Sequence, residues 1–378
     1  MDAWIAAEAD RIAATAPEQL ERLVGVSSPS GDLAGAEAAI AVVRTMLPEV
    51  AEVERIPCST PGHADDFVAR VRGGGARRVV LLGHLDTVVP HHDHRPLLDQ
   101  GDRLVGSGTV DMKGGDVLAA GVLRALAEGQ GGPRFGEVAL LLVNDEEWRM
   151  VPFAHGERFA RYDACLCFEA GQLGPGGEEA VVVKRKAAGT LRVRGHGRES
   201  HSGSAPDKGV SALLALARAA QEIAAAHDPQ GEDALTAVPT IFRSGEAFNV
   251  VPAAGEVIAD LRAHRDEAFE RVIERVPEHV DGARLEAELL RRWPGMDARD
   301  AVGPTLARAS ELLGARIHAG ARGGASDASH LAGTIPVTVD GLGPRGGGAH
   351  APHEFVLRDS IAKRARVALA VAAAALEE

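Results

Sequence analysis

Three acidic residues stand side by side in the stretch VALLLVNDEEWRM, where Asp145, Glu146 and Glu147 follow an apolar run. Neighbouring residues of an extended chain point in different directions, so the two glutamates cannot share one role. Burying both without a cation is costly, because desolvation and mutual repulsion oppose ionisation. A divalent metal bound to one glutamate would leave the other free as a base. A solvated acidic turn is the alternative interpretation.

A histidine and an aspartate follow another apolar run in RVVLLGHLDTVVP. His84 comes directly after the run, and Asp86 lies two residues further on, on the same face of an extended chain. A carboxylate at Asp86 can accept the second ring N–H of a metal-bound histidine and so hold its tautomer. For this pair alone, a hydrogen-bonded histidine beside a helix cap explains the pattern equally well.

Further candidate ligands occur in GSGTVDMKGG, in CLCFEAG and in GPRGGGAHAPHE. An aspartate near glycines is ordinary in turns and helix caps, so Asp111 is a candidate ligand only in combination with the other candidate ligands. The whole set contains two histidines and three carboxylates, with one of the paired glutamates to spare. Such donors suit a pair of Zn²⁺ ions bridged by one carboxylate, with Co²⁺ or Mn²⁺ as substitutes. The candidate metal ligands are His84, Asp111, Glu169, His350 and one of the adjacent pair Glu146 and Glu147.

Several other functional classes are disfavoured by the motifs that the sequence contains or lacks. GLGPRG has the letters of a dinucleotide-binding fingerprint but leads into Gly-Gly-Ala-His rather than a helix. The chain has no G-x-S-x-G, H-E-x-x-H or P-loop motif, which argues against serine hydrolases, zincins and NTPases. The run His91–His94 (HHDH) is either a metal site or, as we favour, a solvated loop.

The amino-acid composition indicates which binding partners and which cellular compartment to expect. The 41 basic and 54 acidic residues leave a net charge of −13, which opposes binding to nucleic acid or anionic membranes. Three cysteines in a long chain favour a reducing compartment over a disulfide framework. The first residues have no basic region or continuous apolar core, and no 18-residue uncharged apolar run occurs. We expect a cytoplasmic protein.

The elements that position these residues follow an α/β pattern in the first half of the chain. Apolar strands separated by helices predict a mostly parallel sheet with helices on both faces, and ligands bind beyond the carboxyl ends of such strands. The predicted helices are 3–24, 36–47 and 116–128, and the predicted strands are 78–82, 138–143 and 164–168, where Cys165 and Cys167 are interpreted as buried small residues.

The middle third has strands that alternate polar and apolar residues. The predicted order is βαββαβ, a ferredoxin-like pattern: strand 190–197, helix 210–227, strands 237–243 and 256–263, helix 266–275 and strand 284–291. The α/β pattern then returns with strands 315–318 and 336–339 and a helix from Arg358. We therefore predict a catalytic domain of residues 1–186 and 295–378, interrupted by a lid and dimerisation domain of residues 187–294.

The motifs together resemble the M20 family of metallopeptidases, which contains glutamate carboxypeptidase, acetylornithine deacetylase, succinyl-diaminopimelate desuccinylase and aminoacylase. The matching blocks span nearly the whole chain in order: GHLDTVVP, GSGTVDMKGG, NDEEW, FEAG, SHSGSAPDKGVSAL, FNVVPAAGEVIADLR, GGASDAS and AHAPHE. Two blocks depart from the family pattern. Trp148-Arg149-Met150 follows the paired glutamates where relatives have Gly-Ser, and Glu169-Ala170-Gly171 replaces Glu-Pro-Thr or Glu-Pro-Ser.

The resemblance implies a role for each candidate. His84 and Glu169 bind one metal ion, Glu147 and His350 bind the other, and Asp111 bridges the two through a turn with a cis peptide to Met112. Glu146 is the implied general base, and Asp86 supports His84. His201 of SHSG resembles the histidine that stabilises the tetrahedral oxyanion, supplied by the partner subunit in family dimers. The implied substrate-binding residues are Asn249, Arg262 and Arg322.

The implied activity is hydrolysis of an amide bond beside a free carboxylate, which the arginines would bind. The substrate would be a small peptide or an N-acyl amino acid, and the protein would form a homodimer through the inserted domain. A glutamate carboxypeptidase-like exopeptidase is the first expectation. An N-acyl amino acid deacylase of the acetylornithine deacetylase, desuccinylase or aminoacylase type is the second. An inactive metal-binding scaffold is an alternative of another class.

Overall fold

The structure, a computed structural model, describes residues 1–129 and 134–377, which form two compact units. The first unit comprises Met1–Lys184, Asp297–Arg322 and Ser326–Glu378. The second comprises Arg185–Met296 and Gly323–Ala325. No helix in the described part of the chain is long and apolar enough to cross a membrane.

The helices and strands are numbered in chain order. The helices are α1 (Ala3–Val24), α2 (Leu33–Arg44), α3 (Gly114–Glu128), α4 (Gly156–Phe159), α5 (Ala212–Ala225), α6 (Glu270–Ile273), α7 (Arg299–Leu313), α8 (Ala328–Ala332) and α9 (Arg358–Leu376). The strands are β1 (Glu52–Ile56), β2 (Asp66–Arg72), β3 (Arg78–His84), β4 (Leu98–Asp99), β5 (Arg103–Val105), β6 (Glu137–Val143), β7 (Ala164–Cys167), β8 (Gln172–Leu173), β9 (Glu179–Arg185), β10 (Ala187–His196), β11 (Thr236–Ser244), β12 (Ala254–Ala263), β13 (His279–Val280), β14 (Ala283–Trp293), β15 (Met296–Asp297), β16 (His318–Arg322), β17 (Val337–Val339), β18 (Gly346–Gly347) and β19 (Phe355–Leu357).

The first unit is built on a six-stranded sheet in the order β1-β2-β6-β3-β7-β17. The pairs β6–β3, β3–β7 and β7–β17 are parallel, whereas β1–β2 and β2–β6 are antiparallel. Buried apolar side chains fill the parallel strands, and α3 makes the crossover from β3 to β6. The predicted mostly parallel α/β fold is confirmed. Neither β1 nor β2, the strands joined by antiparallel pairing, was predicted; β1 is a half-exposed edge strand with the sequence EVERI, which has no buried apolar run.

Local hydrogen bonds set the ends of several helices. Asp32 accepts a hydrogen bond from the backbone N–H of Gly35 (2.6 Å), so α2 begins at Leu33 and not at residue 36 as predicted. The helix ends at Arg44, before the predicted boundary at residue 47. Gly314 has a φ of +70° and ends α7 in the left-handed conformation. The predicted strand at 315–318 is therefore wrong in position, because the chain is still leaving the helix there, and β16 begins at His318.

The second unit is an antiparallel sheet in the order β11-β12-β10-β14-β13, with α5 and the short helix α6 in the crossover segments. This is the ferredoxin-like βαββαβ arrangement that alternation along the strands predicts. Alternate residues of the strands join the α5 side chains in one apolar core. The single helix predicted at 266–275 is wrong: a 3₁₀ turn, Asp266–Phe269, precedes α6, and no side-chain cap bond starts that turn.

Candidate metal centre

The candidate ligands lie at the carboxyl edge of the parallel strands in the first unit. His84 is the last residue of β3, Glu146 and Glu147 follow β6, and Glu169 lies two residues beyond β7. His350 lies in the segment after β17 and has a φ of +64°, a conformation that side chains rarely adopt outside functional or tight-turn positions. The parallel order of the strands therefore brings together residues that are 266 positions apart in the sequence, 84 to 350.

Two groups of ligand atoms share one aspartate. His84 Nε2 lies 3.2 Å from Asp111 Oδ1 and 3.7 Å from Glu169 Oε1. His350 Nε2 lies 3.1 Å from Asp111 Oδ2 and 3.2 Å from Glu147 Oε2. The two carboxylate oxygens of Asp111 thus face different groups, an arrangement suited to one bridging carboxylate between two ions. The Asp111–Met112 peptide bond is cis, as the resemblance implies.

The electrostatics of the two groups are those of a site that needs a cation. Burial raises the pKa of Glu169 well above its usual range and raises that of Glu147 to about 7. Although burial also opposes ionisation of Asp111, hydrogen bonds from His350 and His84 hold its pKa below the usual value. Hydrogen bonds to Asp111 and Glu147 raise the pKa of His350 to about 10.

The donor set fits a pair of divalent ions. In each group, one atom from every member lies within 4.8 Å of the others. Oε1 of Glu147 is buried and has no hydrogen-bond partner among the described residues, so it is an orphaned acceptor beside the second group. Imidazole nitrogens and carboxylate oxygens are ligands that Zn²⁺ accepts, and a cation would offset the desolvation of the carboxylates.

We expect the metal-free protein to lose thermal stability as the pH rises from 5 to 9. Because the pKa of Glu147 is raised from 4.5 to about 7, the free energy of unfolding falls as the pH rises between these two values. The raised pKa of His350 adds stability that is complete below 6.5 and is lost as the pH approaches 10. Asp111 has the opposite sign, but its lowered pKa confines that effect to pH below 3.8.

Thermal denaturation in EDTA across this range checks the expectation. Excess Zn²⁺ should raise the melting temperature most at the alkaline end, where the carboxylates are ionised and protons compete least with the metal for the histidine nitrogens. A melting temperature of the EDTA-treated protein that rises steadily from pH 5 to 9 would contradict these pKa shifts.

Asp86 and Glu146 lie beside the two groups. His84 Nδ1 lies 3.0 Å from the backbone oxygen of Asp86 and 3.4 Å from its Oδ1. The Asp86 carboxylate also accepts the backbone N–H groups of Glu146 (3.2 Å) and Glu147 (3.1 Å). One side chain therefore orients both the histidine and the paired glutamates. Glu146 is buried, and burial raises the pKa of its carboxyl.

Glu354 is a buried acid to which sequence reasoning assigned no role. Its carboxylate accepts the backbone N–H groups of Gly108 (2.9 Å), Val110 (2.8 Å) and Asp111 (3.0 Å). These bonds hold the turn that presents Asp111. The signal was present in the sequence, because Glu354 closes the block AHAPHE that contains His350, but its partners are turn amides far away in the chain.

We expect Glu354→Gln to weaken metal binding by about tenfold and to lower stability by about 2 kcal/mol. The amide has only one acceptor oxygen, and its NH₂ group would face backbone N–H groups. Metal titration and chemical denaturation measure the two effects. Glu18→Gln, at an exposed site on α1, is the control. Unchanged metal affinity in Glu354→Gln would show that the turn does not depend on this carboxylate.

Asp145, the first of the three adjacent acids, points away from the two groups. It accepts hydrogen bonds from Thr60 N and Oγ1 (2.9 and 2.6 Å) and from Arg149 Nη1 (2.8 Å). Arg149 is wholly buried and also pairs with Asp327. Asp145 further lies in a third cluster of potential ligands with Cys58 and Asp66, but its bonds to Thr60 and Arg149 already give it a structural role.

The remaining predicted residues lie elsewhere. In the second unit, Nδ1 of the exposed His201 accepts the backbone N–H groups of Gly203 (3.1 Å) and Ser204 (3.2 Å), and the Asn249 backbone oxygen accepts the Ser202 N–H (3.0 Å). Arg262 on β12 pairs with Asp260 at 3.0 Å. In the first unit, Arg322 Nε donates to Gln172 Oε1 at 2.9 Å. Each arginine therefore already uses part of its guanidinium group in a contact within the protein.

Comparison with known proteins identifies the family. Residues 80–374 match the family model of peptidase family M20/M25/M40. The chain belongs to peptidase family M20. Members of this family are metal-dependent hydrolases of peptides or N-acyl amino acids, so this M20 protein is an enzyme of the metallopeptidase and amidohydrolase class.

The individual relatives of this M20 enzyme have different activities. It is 27% identical to carboxypeptidase G2 of Pseudomonas sp. strain RS-16, over 91% of its own length and 85% of the relative. It is 30% identical to succinyl-diaminopimelate desuccinylase of Methylobacterium sp. strain 4-46, over 77% and 79% of the two chains. Its fold matches an M20 metallo-carboxypeptidase of Sulfolobus solfataricus with a TM-score of 0.72 and 15% identity, over 96% and 98%.

Proposed function

We propose that this M20 enzyme is a di-zinc hydrolase that cleaves an amide bond beside a free carboxylate, with glutamate carboxypeptidase-like activity first. The observation that supports it most directly is the pair of ligand groups that share Asp111, with Glu146 directly before the Glu147 of the second group. His84 and Glu169 would hold one ion, and Glu147 and His350 the other. Two such ions would polarise the scissile carbonyl and lower the pKa of a water molecule.

In the proposed reaction, one side chain of the candidate centre carries out both proton transfers. Glu146 takes the proton of the attacking water and returns it to the leaving nitrogen. Burial raises the pKa of the Glu146 carboxyl, which makes it a stronger base than an exposed glutamate and suits it to carry the proton between the two steps. Asp86 keeps this glutamate in place by accepting its backbone N–H.

His201 stabilises the oxyanion in this proposal, supplied by the partner subunit as the family resemblance implies. Its Nδ1 accepts two backbone N–H groups, so the proton of the neutral ring belongs on Nε2. Nε2–H is then a donor for the oxygen on which negative charge develops. Asn249, Arg262 and Arg322 bind the substrate, the arginines through its carboxylate. In that role Arg262 would exchange its ion pair with Asp260 for the substrate.

Deacylation of an N-acyl amino acid is the second candidate. The desuccinylase relative is slightly more similar in sequence than carboxypeptidase G2, although the match covers less of the chain. Turnover of a panel separates the candidates: dipeptides and N-acyl amino acids that end in glutamate, N-acetylornithine and N-succinyl-diaminopimelate. Zinc per chain is measured on the same sample. Two bound ions with no turnover on the entire panel would instead support an inactive metal-binding scaffold.

The proposed dimer forms through the second unit. β11 is the outer strand of its sheet and exposes Val238 (44%), Ile241 (39%) and Phe242 (43%). An apolar edge strand favours pairing with another chain. We expect Ile241→Lys with Phe242→Lys to convert a dimer into monomers in sedimentation velocity, whereas Val50→Lys, on an exposed loop of the first unit, should not. A parent chain that sediments as a monomer at micromolar concentration would contradict this proposal.

A cytoplasmic location completes the proposal. Cys58, Cys165 and Cys167 form no disulfide bond in the described part of the chain, and the last two are buried in β7. Cysteines without disulfide bonds are typical of reducing compartments. Fractionation of cells that express the full chain tests the assignment, and recovery of the protein outside the cytoplasm would overturn it.

A further inference from the structure

The loop that follows the candidate metal ligand Glu147 exposes apolar side chains. Trp148 is 65% exposed and Met150 47% exposed, and Pro152 is exposed as well. Val151 between them is half-buried. A single exposed apolar residue is ordinary, but several exposed apolar residues within the five positions that follow a candidate metal ligand indicate a binding surface. We name residues 148–152 the Trp148 loop.

Buried contacts hold this loop in one position. Arg149, between the two exposed side chains, pairs with Asp145 and Asp327, and its guanidinium lies 4.9 Å from the centre of the Phe153 ring. Phe153 in turn stacks on His330 at 5.3 Å. A surface that is already ordered loses little conformational entropy when a ligand binds.

The chain continues to be anchored beyond Phe153. Ala154 N donates to Ser59 Oγ (3.0 Å), and the buried His155 Nε2 lies 2.7 Å from Asp66 Oδ2. Both ends of the Trp148 loop are therefore fixed to the body of the first unit. The exposure of Trp148 does not come from a poorly packed segment, because Arg149, which directly follows it, is wholly buried.

The loop offers apolar surface and no free cation. Arg149 is the only charged residue in the segment Trp148–Pro152, and it is wholly buried between two carboxylates. The proposed substrate has a carboxylate on its leaving amino acid, which this loop cannot bind. The part of the substrate that suits the loop is therefore the acyl group on the other side of the scissile amide.

We propose that Trp148 contacts the acyl group of the substrate and gives the enzyme a preference for N-acyl amino acids with aromatic acyl groups. This inference depends on the proposed hydrolysis of an amide beside a carboxylate. An indole stacks well on a flat aromatic group, and the Met150 thioether adds a favourable sulfur–aromatic contact. An acetyl group has too little surface to gain from either residue.

Two substrates with the same leaving group test the preference, N-benzoyl-glutamate and N-acetyl-glutamate. Trp148→Ala should lower kcat/KM for the benzoyl substrate by about tenfold, the range expected for one apolar contact, and should change that for the acetyl substrate less than about twofold. Trp148→Phe should keep most of the preference. Val50→Ala is the matched control, because Val50 is also exposed (66%) and lies on a loop far from Trp148 in the sequence.

Each outcome bears on a separate claim. An equal loss on both substrates, or no loss on either, with zinc content unchanged, would overturn the role of Trp148 and leave the proposed function standing. A parent enzyme that hydrolyses neither glutamate substrate would overturn the proposed glutamate carboxypeptidase-like activity, and this inference with it. Selective loss on the benzoyl substrate in Trp148→Ala but not in Val50→Ala supports the assignment.

Discussion

Replacement of Glu146 by glutamine is expected to lower kcat by about 1,000-fold while the metal content stays at the parent level. Glutamine has the same shape but cannot take a proton from water. The backbone N–H of residue 146 would still donate to Asp86, so the position of the turn should not change. The neighbouring Glu147 would keep its contact with His350.

Turnover and zinc content, measured on one preparation, check this expectation. Glu157→Gln, at an exposed position of α4, is the control for the loss of an acidic residue near the same loop. A kcat within a fewfold of the parent value in Glu146→Gln, with zinc bound, would mean that another group acts as the base.

Asp111→Ala is expected to abolish turnover and to weaken the binding of both ions, by at least about 100-fold, the upper end of what loss of an outer-shell partner costs. Asp111 is the residue common to the two ligand groups of the candidate metal centre. Its removal leaves two candidate ligands in each group, His84 with Glu169 and His350 with Glu147. Neither remaining pair satisfies the usual coordination of zinc.

Single-group variants separate a bridging role from a general effect on folding. His84→Ala and His350→Ala should each reduce the zinc content from two ions to one, whereas Asp111→Ala should reduce it close to zero at the same free zinc. Asp102→Ala, an exposed aspartate ahead of β5, should change nothing. Two tightly bound ions in Asp111→Ala would rule out a shared carboxylate.

Much of the first unit was predictable because its central strands are buried on both faces. Such strands have continuous apolar sequences, and β3, β6 and β7 begin and end within two residues of their predicted bounds. Parallel strands place their carboxyl ends at one edge, so the sequence alone indicates that the acids and histidines that follow these strands lie together. The polar edge strand β1 had no such signal.

The contacts that were missed join residues that are distant in the sequence. Glu354 accepts the N–H of Gly108 across 246 positions, and Arg149 meets Asp327 across 178 positions. No local pattern distinguishes Glu354 from an exposed acid or Arg149 from a surface arginine. Their burial depends on which turns and loops the completed sheet brings together.

The amino-acid sequence by itself determined the kinds of donor atoms, the strands that carry them and the ferredoxin-like order of the second unit. Periodicity and strand ends are local properties, and local sequence encodes them. Only the tertiary structure decided that the two oxygens of Asp111 face different histidines, that Asp145 binds Thr60 and Arg149 instead, and that Trp148 remains exposed. Those outcomes depend on distances between segments, which packing sets to within a fraction of an ångström.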